Sequence, residues 1–284
     1  MSLLDLISKY ASPGMIINAY SLFGIAHLSS RMNRNRHYRE NLAFWNSPGI
    51  SEAAEDLKVS DVSNDLRDHM PSRHALCSND SCISVNPGKI SSNGDFDLSV
   101  KSSAMGSDGK YIEHQDRLTM LRYGGGRGYT VAYGGCEMIA VYNIISFLND
   151  GKVPPGFDLP DIIWAFEGKG IALEGAFGAS PRGMVRFLKN AGLSSVLMKP
   201  GRWNDNTSPS ETLSGKPFIF TAFNDRRRIM SQVHTMAATP EPDGSVILHN
   251  SNESPAGYSR YRDPADAIIN YRRGFGRVIC VICL

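Results

Sequence analysis

The sequence lacks several features of membrane, secreted and nucleic-acid-binding proteins. It has no apolar run of about 18 residues or more, so we expect no helix that spans a membrane. No basic stretch precedes an apolar one at the N-terminus, so we expect no secretory signal. The 284 residues include only five cysteines at scattered spacings, which favours a reducing, cytoplasmic compartment over a disulfide framework. A net charge of +2 gives no general argument for nucleic acid as a partner.

Charge and composition divide the chain into three parts. Residues 1–45 carry five basic and two acidic side chains and two short amphipathic patterns. These predict a helical N-terminal segment that packs on the main domain, covers the active site or lies on a membrane surface. Residues 46–108 are acidic and rich in Ser, Asn and Asp, which is typical of a linker with little regular structure. Residues 109–284 carry the longer apolar patterns, and we expect one domain there.

Helix patterns come first in residues 109–284, and strand patterns follow. A near-continuous apolar run predicts a buried helix over 136–148, and Ser180 before Pro181 is typical of a helix start. An Asp-Gly turn at 242–244 predicts a hairpin between strands at 234–239 and 245–249. Further apolar strands are expected at 217–223 and 275–284. Helices followed by an antiparallel sheet predict an α+β fold.

Cys136 is the first candidate for chemistry. It begins the predicted buried helix, so its sulfur lies at the positive end of a helix dipole, where a thiolate is favoured and the thiol pKa is lowered. The backbone N–H of Cys136 is placed to stabilise an oxyanion. Gly134 and Gly135 precede it and are expected to let a substrate backbone approach closely, as part of a groove. The alternative is an inert buried cysteine.

His234 and Asn250 are the expected partners of Cys136. A hairpin centred on residue 243 pairs position 234 with about position 252, so His234 and Asn250 become neighbours at one end of the strand pair. Asn250 would orient one ring nitrogen of His234 while the other faces Cys136, and an ion pair with the thiolate would raise the pKa of His234. His249 and Asn252 are rival orienting residues.

The order and spacing of these segments resemble the papain-like cysteine peptidases of the C39-like type, over about residues 110–284. The segments that carry the resemblance are Gly135–Glu137, Ala179–Pro181, Ala191–Leu193, Gly215–Ile219, His234, Asp243–Gly244 and Asn250. The resemblance implies a helical subdomain that carries the nucleophile, packed on an antiparallel sheet. It also implies a thiol peptidase with a peptide or protein substrate, such as a leader or small precursor.

The chain departs from the family around the nucleophile. The family has Asn or Asp, Cys, Gly and Pro there, whereas this chain has Gly135, Cys136, Glu137 and Met138. The family also has a Gln about six residues before the Cys, which supplies a second oxyanion donor. Thr130 holds that place here, and Thr130 or Tyr133 is a weak substitute for the Gln. Losing such a donor typically costs about a hundredfold or more in rate.

We therefore expect a Cys136–His234–Asn250 thiol peptidase that needs no metal or organic cofactor. Two alternatives remain: transfer of the acyl group from the same thioester to an amine or thiol, and a non-catalytic peptide-binding relative. Glu137 is expected to act with the helix dipole in the first turn, and Asn143 to be a buried hydrogen-bonding residue. A cluster of Cys77 and Cys82 with two nearby histidines fits no common zinc site.

Overall fold

The computed structural model describes residues 28–46, 100–124, 129–168, 179–198, 209–224, 233–274 and 277–284. The two amphipathic patterns of the N-terminal segment, apart from the last residue of the second, and the Cys77–Cys82 cluster lie outside these residues. The fold is α+β with an antiparallel sheet, as the order of the sequence patterns predicts.

A six-stranded antiparallel sheet forms the centre of the described part, in the order β3-β8-β4-β5-β6-β7. Its central strand β4 is buried at every residue, because both faces of the sheet are covered. A short two-stranded sheet, β1 and β2, lies apart from it. The strands are β1 (Arg122–Tyr123), β2 (Tyr129–Thr130), β3 (Val196–Met198), β4 (Phe218–Phe223), β5 (Val233–Pro240), β6 (Val246–His249), β7 (Tyr258–Tyr261) and β8 (Arg277–Cys283).

Helices cover both faces of the sheet. The α-helices are α1 (Leu28–Asn46), α2 (Val100–Ala104), α3 (Val131–Gly134), α4 (Cys136–Leu148), α5 (Leu159–Gly168), α6 (Pro181–Asn190), α7 (Pro209–Leu213) and α8 (Pro264–Asn270). Gln115–Arg117 forms a 3-10 helix, and Tyr271–Gly274 is a turn in which Arg272 and Arg273 have left-handed backbone. One apolar core joins α4, α5 and α6 to Ile219, Ala237 and Ile282 on one face of the sheet. The other core joins α7 and α8 to residues on the opposite face, including Phe220 and Met236.

Helix α4 is the element on which the site depends. Its residues from Cys136 to Ser146 are all buried, as a near-continuous apolar run predicts. It packs against β5, and Asn143 fixes it by hydrogen bonds to both backbone groups of Ile112 at 2.8 and 3.0 Å. The prediction that Asn143 is a buried hydrogen-bonding residue is confirmed.

Two further predictions from local sequence signals are confirmed by the structure. Helix α6 begins as predicted, since the Ser180 hydroxyl accepts from the N–H of Gly183 at 3.3 Å and Pro181 occupies the first turn. In the hairpin of β5 and β6, Ala237 pairs with His249, which is the register that a turn centred on residue 243 predicts. Strand β7 and helix α8 follow this hairpin and were not predicted.

The N-terminal side of the main domain begins earlier than predicted. Val100–Ala104 is helical, and Ala104 and Met105 belong to the core, so the last residues of the predicted 46–108 linker are part of the fold. Helix α1 also docks on this domain. Asn41 exchanges two 2.7 Å hydrogen bonds with the backbone of Arg122, and His37 contacts Glu167 at 2.7 Å.

Candidate functional site

Cys136 is the first residue of α4, as predicted, and its sulfur is held by the next residue. Gly135 precedes the helix and supplies no capping side chain, so the first N–H groups of α4 receive no side-chain cap there. The Cys136 Sγ donates to Oε2 of Glu137 at 3.3 Å. Cys136 is only 5 % exposed, so the thiol is part of the packed interior.

The predicted lowering of the Cys136 pKa is wrong. Burial raises the pKa of the Cys136 thiol well above its ordinary value, and the carboxylate of Glu137 raises it further. Hydrogen bonds from the backbone and hydroxyl of Thr235 act in the opposite direction and are outweighed. The helix N-terminus therefore does not lower the pKa of the Cys136 thiol overall. Burial in a low-polarity site and the neighbouring Glu137 carboxylate both favour the protonated thiol, and their effect is larger.

Glu137 lies at the centre of a buried polar cluster, beyond the dipole role expected for it. One oxygen accepts from Cys136, and the other accepts from the Thr235 hydroxyl at 3.4 Å. Thr235 in turn contacts the Thr221 hydroxyl at 2.9 Å across β4 and β5. Burial raises the pKa of Glu137 to about 7, against hydrogen bonds that include the backbone of Ala179. This carboxyl group therefore titrates near neutral pH beside the candidate nucleophile.

His234 and Asn250 are neighbours, as the hairpin register predicts, but the contact uses the main chain. Nε2 of His234 lies 2.6 Å from the backbone carbonyl oxygen of Asn250, whereas an orienting side-chain amide was expected. Because a carbonyl oxygen only accepts, Nε2 carries the proton in the neutral ring and Nδ1 holds the lone pair. None of the hydrogen bonds among the described residues uses Nδ1.

The predicted rise in the His234 pKa is also wrong. Burial lowers the pKa of His234 to about 4, and the nearby guanidinium of Arg272 lowers it further. The hydrogen bond to Asn250 acts in the opposite direction. With a protonated thiol at Cys136 and a neutral ring at His234, this arrangement is not the thiolate–imidazolium pair that the sequence predicted.

Cys136 and His234 approach the same part of β5 without meeting. Among the described residues no hydrogen bond joins the two side chains, and the thiol is directed at Glu137 instead. Thr235 faces α4, since it contacts Glu137, and successive strand residues point to opposite faces. The ring of His234 accordingly turns to the end of β6, where Asn250 receives it.

Asn250 is fixed firmly enough to serve as an anchor for the His234 ring. Its backbone is in the left-handed region at φ 57°, which lets the chain turn away at the end of β6. Its N–H donates to Oε2 of Glu113 at 2.6 Å, and its side-chain Nδ2 donates to Oε1 of Gln115 at 2.9 Å. Gln115 also donates to the backbone carbonyl oxygens of Val131 and Ala132, just before α4.

The two rival orienting residues do not contact His234. His249 Nδ1 lies 2.6 Å from Oε1 of Glu113, and its Nε2 lies 2.8 Å from the Thr239 hydroxyl. The same ring stacks on Tyr111 with 3.9 Å between the ring centroids. Asn252 is exposed. His249 therefore contacts Glu113, which accepts the backbone N–H of Asn250. Of Asn250, His249 and Asn252, the residue that contacts the His234 ring is Asn250.

Three further predicted residues take other places. Thr130 precedes α3 and makes no side-chain capping bond there, and nothing in the described residues places its hydroxyl on Cys136. The carbonyl oxygen of Gly134 accepts from the Tyr123 hydroxyl at 2.6 Å. Gly135 is buried, and a Cβ there would lie 2.4 Å from a methyl group of Val131. The glycine is needed for the tight junction between α3 and α4, where it closes on Val131, and this explains it without a substrate.

Sequence reasoning missed Glu113, Gln115 and Thr235. Glu113 and Gln115 lie far from Asn250 along the chain, and no local pattern connects them. Thr235 adjoins His234, and strand alternation was the one available signal that it, and not His234, would share a face with α4. Within the described residues no group of His, Cys, Asp and Glu side chains is arranged to hold a metal ion.

The comparisons with known proteins add no relative. No protein-family model, curated protein or solved structure matches this chain. No helix in the described residues is long and apolar enough to cross a membrane. The functional argument therefore depends on the residues of the site.

Proposed function

We propose that this chain is a papain-like thiol peptidase of the C39-like type, with Cys136 as the nucleophile and His234 and Asn250 as its partners. The observation that carries the proposal is the anchored His234 ring. The Asn250 carbonyl fixes its tautomer, so that Nδ1 is the basic nitrogen. The next residue on the strand, Thr235, contacts Glu137 beside Cys136.

The proposed reaction passes through a thioester. The Cys136 sulfur attacks a peptide carbonyl carbon, and the thiol proton passes to Nδ1 of His234 as the C–S bond forms. The same proton then goes to the leaving amine when the C–N bond breaks, and water hydrolyses the thioester. Backbone N–H groups at the start of α4 stabilise the oxyanion. Because the resting pair is neutral, His234 acts as a general base during attack. The proposal therefore requires a rearrangement in which the Cys136 thiol leaves Glu137 and the His234 ring comes round from the face of β5 opposite α4.

The compartment and substrate follow from the same proposal. Cys136, Cys280 and Cys283 are free thiols, which supports a reducing compartment such as the cytoplasm. A peptide or protein is the substrate class. Hydrolysis and acyl transfer share the thioester, so the acceptor of the acyl group is what separates them.

The test is the formation of an acyl-enzyme on Cys136. The full chain is treated with p-nitrophenyl acetate, and the acetylated cysteine is located by mass spectrometry. Acetylation should occur on Cys136 faster than on the half-exposed Cys283, and His234→Gln should slow it by about a hundredfold. Cys136→Ala should abolish the adduct at unchanged stability. Adding glycinamide then shows whether an amine competes with water for the acyl group.

A non-catalytic peptide-binding relative is the second candidate. It is favoured by the strand register, which directs Thr235 and not His234 towards α4, and by the missing oxyanion Gln. If Cys136 is acetylated no faster than Cys283, and His234→Gln changes neither rate, the thiol peptidase proposal is wrong and this candidate replaces it.

A further inference from the structure

The carboxyl group of Glu137 is restrained at both oxygens beside the candidate nucleophile. Oε2 accepts from the Cys136 thiol at 3.3 Å, and Oε1 lies 3.4 Å from the Thr235 hydroxyl. Glu137 is 2 % exposed, so water does not compete for these contacts. The polar cluster continues from Thr235 to Thr221 on β4, which fixes the carboxyl group relative to the sheet.

We propose that Glu137 is a positioning residue that holds the Cys136 thiol in its protonated form, directed at the carboxylate, when no substrate is bound. This inference rests on the proposed function only in taking Cys136 as the nucleophile. An anion at hydrogen-bond distance from the sulfur, in a site of low polarity, disfavours a second negative charge on the thiolate.

The other titratable groups around this pair do not offset that effect. Tyr123 and Tyr271 interact electrostatically with Cys136, and Cys280 interacts with Glu137. Burial raises the pKa of both tyrosines and raises the pKa of Cys280 to about 12, so these three groups are neutral near neutral pH. Above its pKa of about 7, the ionised Glu137 carboxylate is thus the charged group in contact with the thiol.

The experiment is alkylation of Cys136 by iodoacetamide, because the reagent reacts with the thiolate and needs no turnover. The rate is followed by mass spectrometry of the Cys136 peptide between about pH 6 and 10 in the full chain. In Glu137→Gln the midpoint of the rate profile should move to lower pH. At pH 7 the rate should rise about threefold for each unit of lowered pKa, since the larger thiolate fraction outweighs the lower nucleophilicity.

Two variants keep the result decisive. Glu167→Gln changes another fully buried carboxyl group, which contacts His37 and the N–H of Gly124, and should leave the Cys136 profile unchanged. Glu137→Asp keeps the charge but shortens the side chain by one methylene, and should give an intermediate shift even if Glu137→Gln folds poorly.

A slower or unchanged alkylation in Glu137→Gln would overturn the inference, since a slower rate would mean that the carboxylate removes the thiol proton. The outcome is separable from that of the proposed function. If no variant forms an acetyl-enzyme while Glu137→Gln still shifts the alkylation profile, the peptidase proposal fails and the positioning role of Glu137 stands.

Discussion

The two buried histidines of the sheet, His234 on β5 and His249 on β6, are held in different ways. His249 uses both ring nitrogens on side chains, Glu113 and Thr239, and stacks on Tyr111. His234 has one ring contact, to a main-chain carbonyl, and Nδ1 takes part in no hydrogen bond among the described residues. A histidine whose nitrogens are both used stabilises the fold, whereas one with an unused basic nitrogen is available for proton transfer.

Replacing His249 or His234 with alanine should separate the stabilising role of His249 from the proton-transfer role of His234. His249→Ala leaves the buried carboxyl group of Glu113 without its ring partner and should cost about 3 kcal/mol of unfolding free energy. His234→Ala removes one hydrogen bond to a carbonyl and should cost about 1 kcal/mol, while acyl-enzyme formation falls about a hundredfold. Urea unfolding and the acetylation rate, measured on both variants, test the contrast.

The assignment of a structural role to His249 and a chemical role to His234 would be wrong if the two variants showed the opposite effects. A His249→Ala protein that keeps its stability but loses acylation would move the chemistry to the Glu113–His249 pair. A double variant, Cys136→Ala with His234→Ala, should lose no more turnover than Cys136→Ala alone, because a nucleophile and its base act as one unit.

Stability should also depend on pH in a way that separates His234 from Glu137. The pKa of His234 is lowered to about 4, so the unfolded chain binds its proton first, and this residue makes stability fall as pH drops from about 6.5 to 4. The pKa of Glu137 is raised to about 7, so the unfolded chain loses its proton first, and this residue makes stability fall as pH rises from about 4.5 to 7. The two slopes oppose each other between about pH 4.5 and 6.5.

Single variants should therefore tilt the stability curve in opposite directions. In Glu137→Gln the unfolding free energy should rise more steeply with pH in that window than in the unmodified chain. In His234→Gln it should fall with rising pH. Urea unfolding at several pH values measures both slopes, and parallel curves in the two variants would contradict the assigned burial effects.

The features that the sequence predicted correctly are those determined by residues close together in the chain. The limits of α4, the cap of α6 and the register of the β5–β6 hairpin are set by neighbouring residues, and all three were predicted. The contacts of Asn250 with Glu113 and Gln115 join residues 135 or more apart in the chain, and no local pattern marks them. The pKa values of Cys136 and His234 were predicted in the wrong direction, because burial outweighs a helix dipole and is decided by packing.

The smallest expected effect is that of a substitution at Asn250. It tests whether the main-chain carbonyl or the side-chain amide of this residue orients His234. Asn250→Ala keeps the carbonyl that receives Nε2 but loses two hydrogen bonds with Gln115 and places alanine at φ 57°. Unfolding free energy should fall by about 2 kcal/mol from the lost bonds and the left-handed backbone. The acetylation rate should fall by less than about tenfold, because the orienting atom belongs to the main chain.

Two controls divide this effect between backbone and side chain. Gln115→Ala removes the bond from Nδ2 of Asn250 and the two bonds from the Gln115 amide to Val131 and Ala132, while its backbone N–H still donates to Oδ1 of Asn250. It should lower the unfolding free energy and change the acetylation rate little, because Asn250 and its carbonyl stay in place. Asn250→Gly keeps the carbonyl and relieves the left-handed strain, and should retain more acylation than Asn250→Ala. If instead Asn250→Ala folds and loses as much acylation as His234→Ala, the side-chain amide orients His234 during the reaction. The main-chain contact would then describe the resting site only.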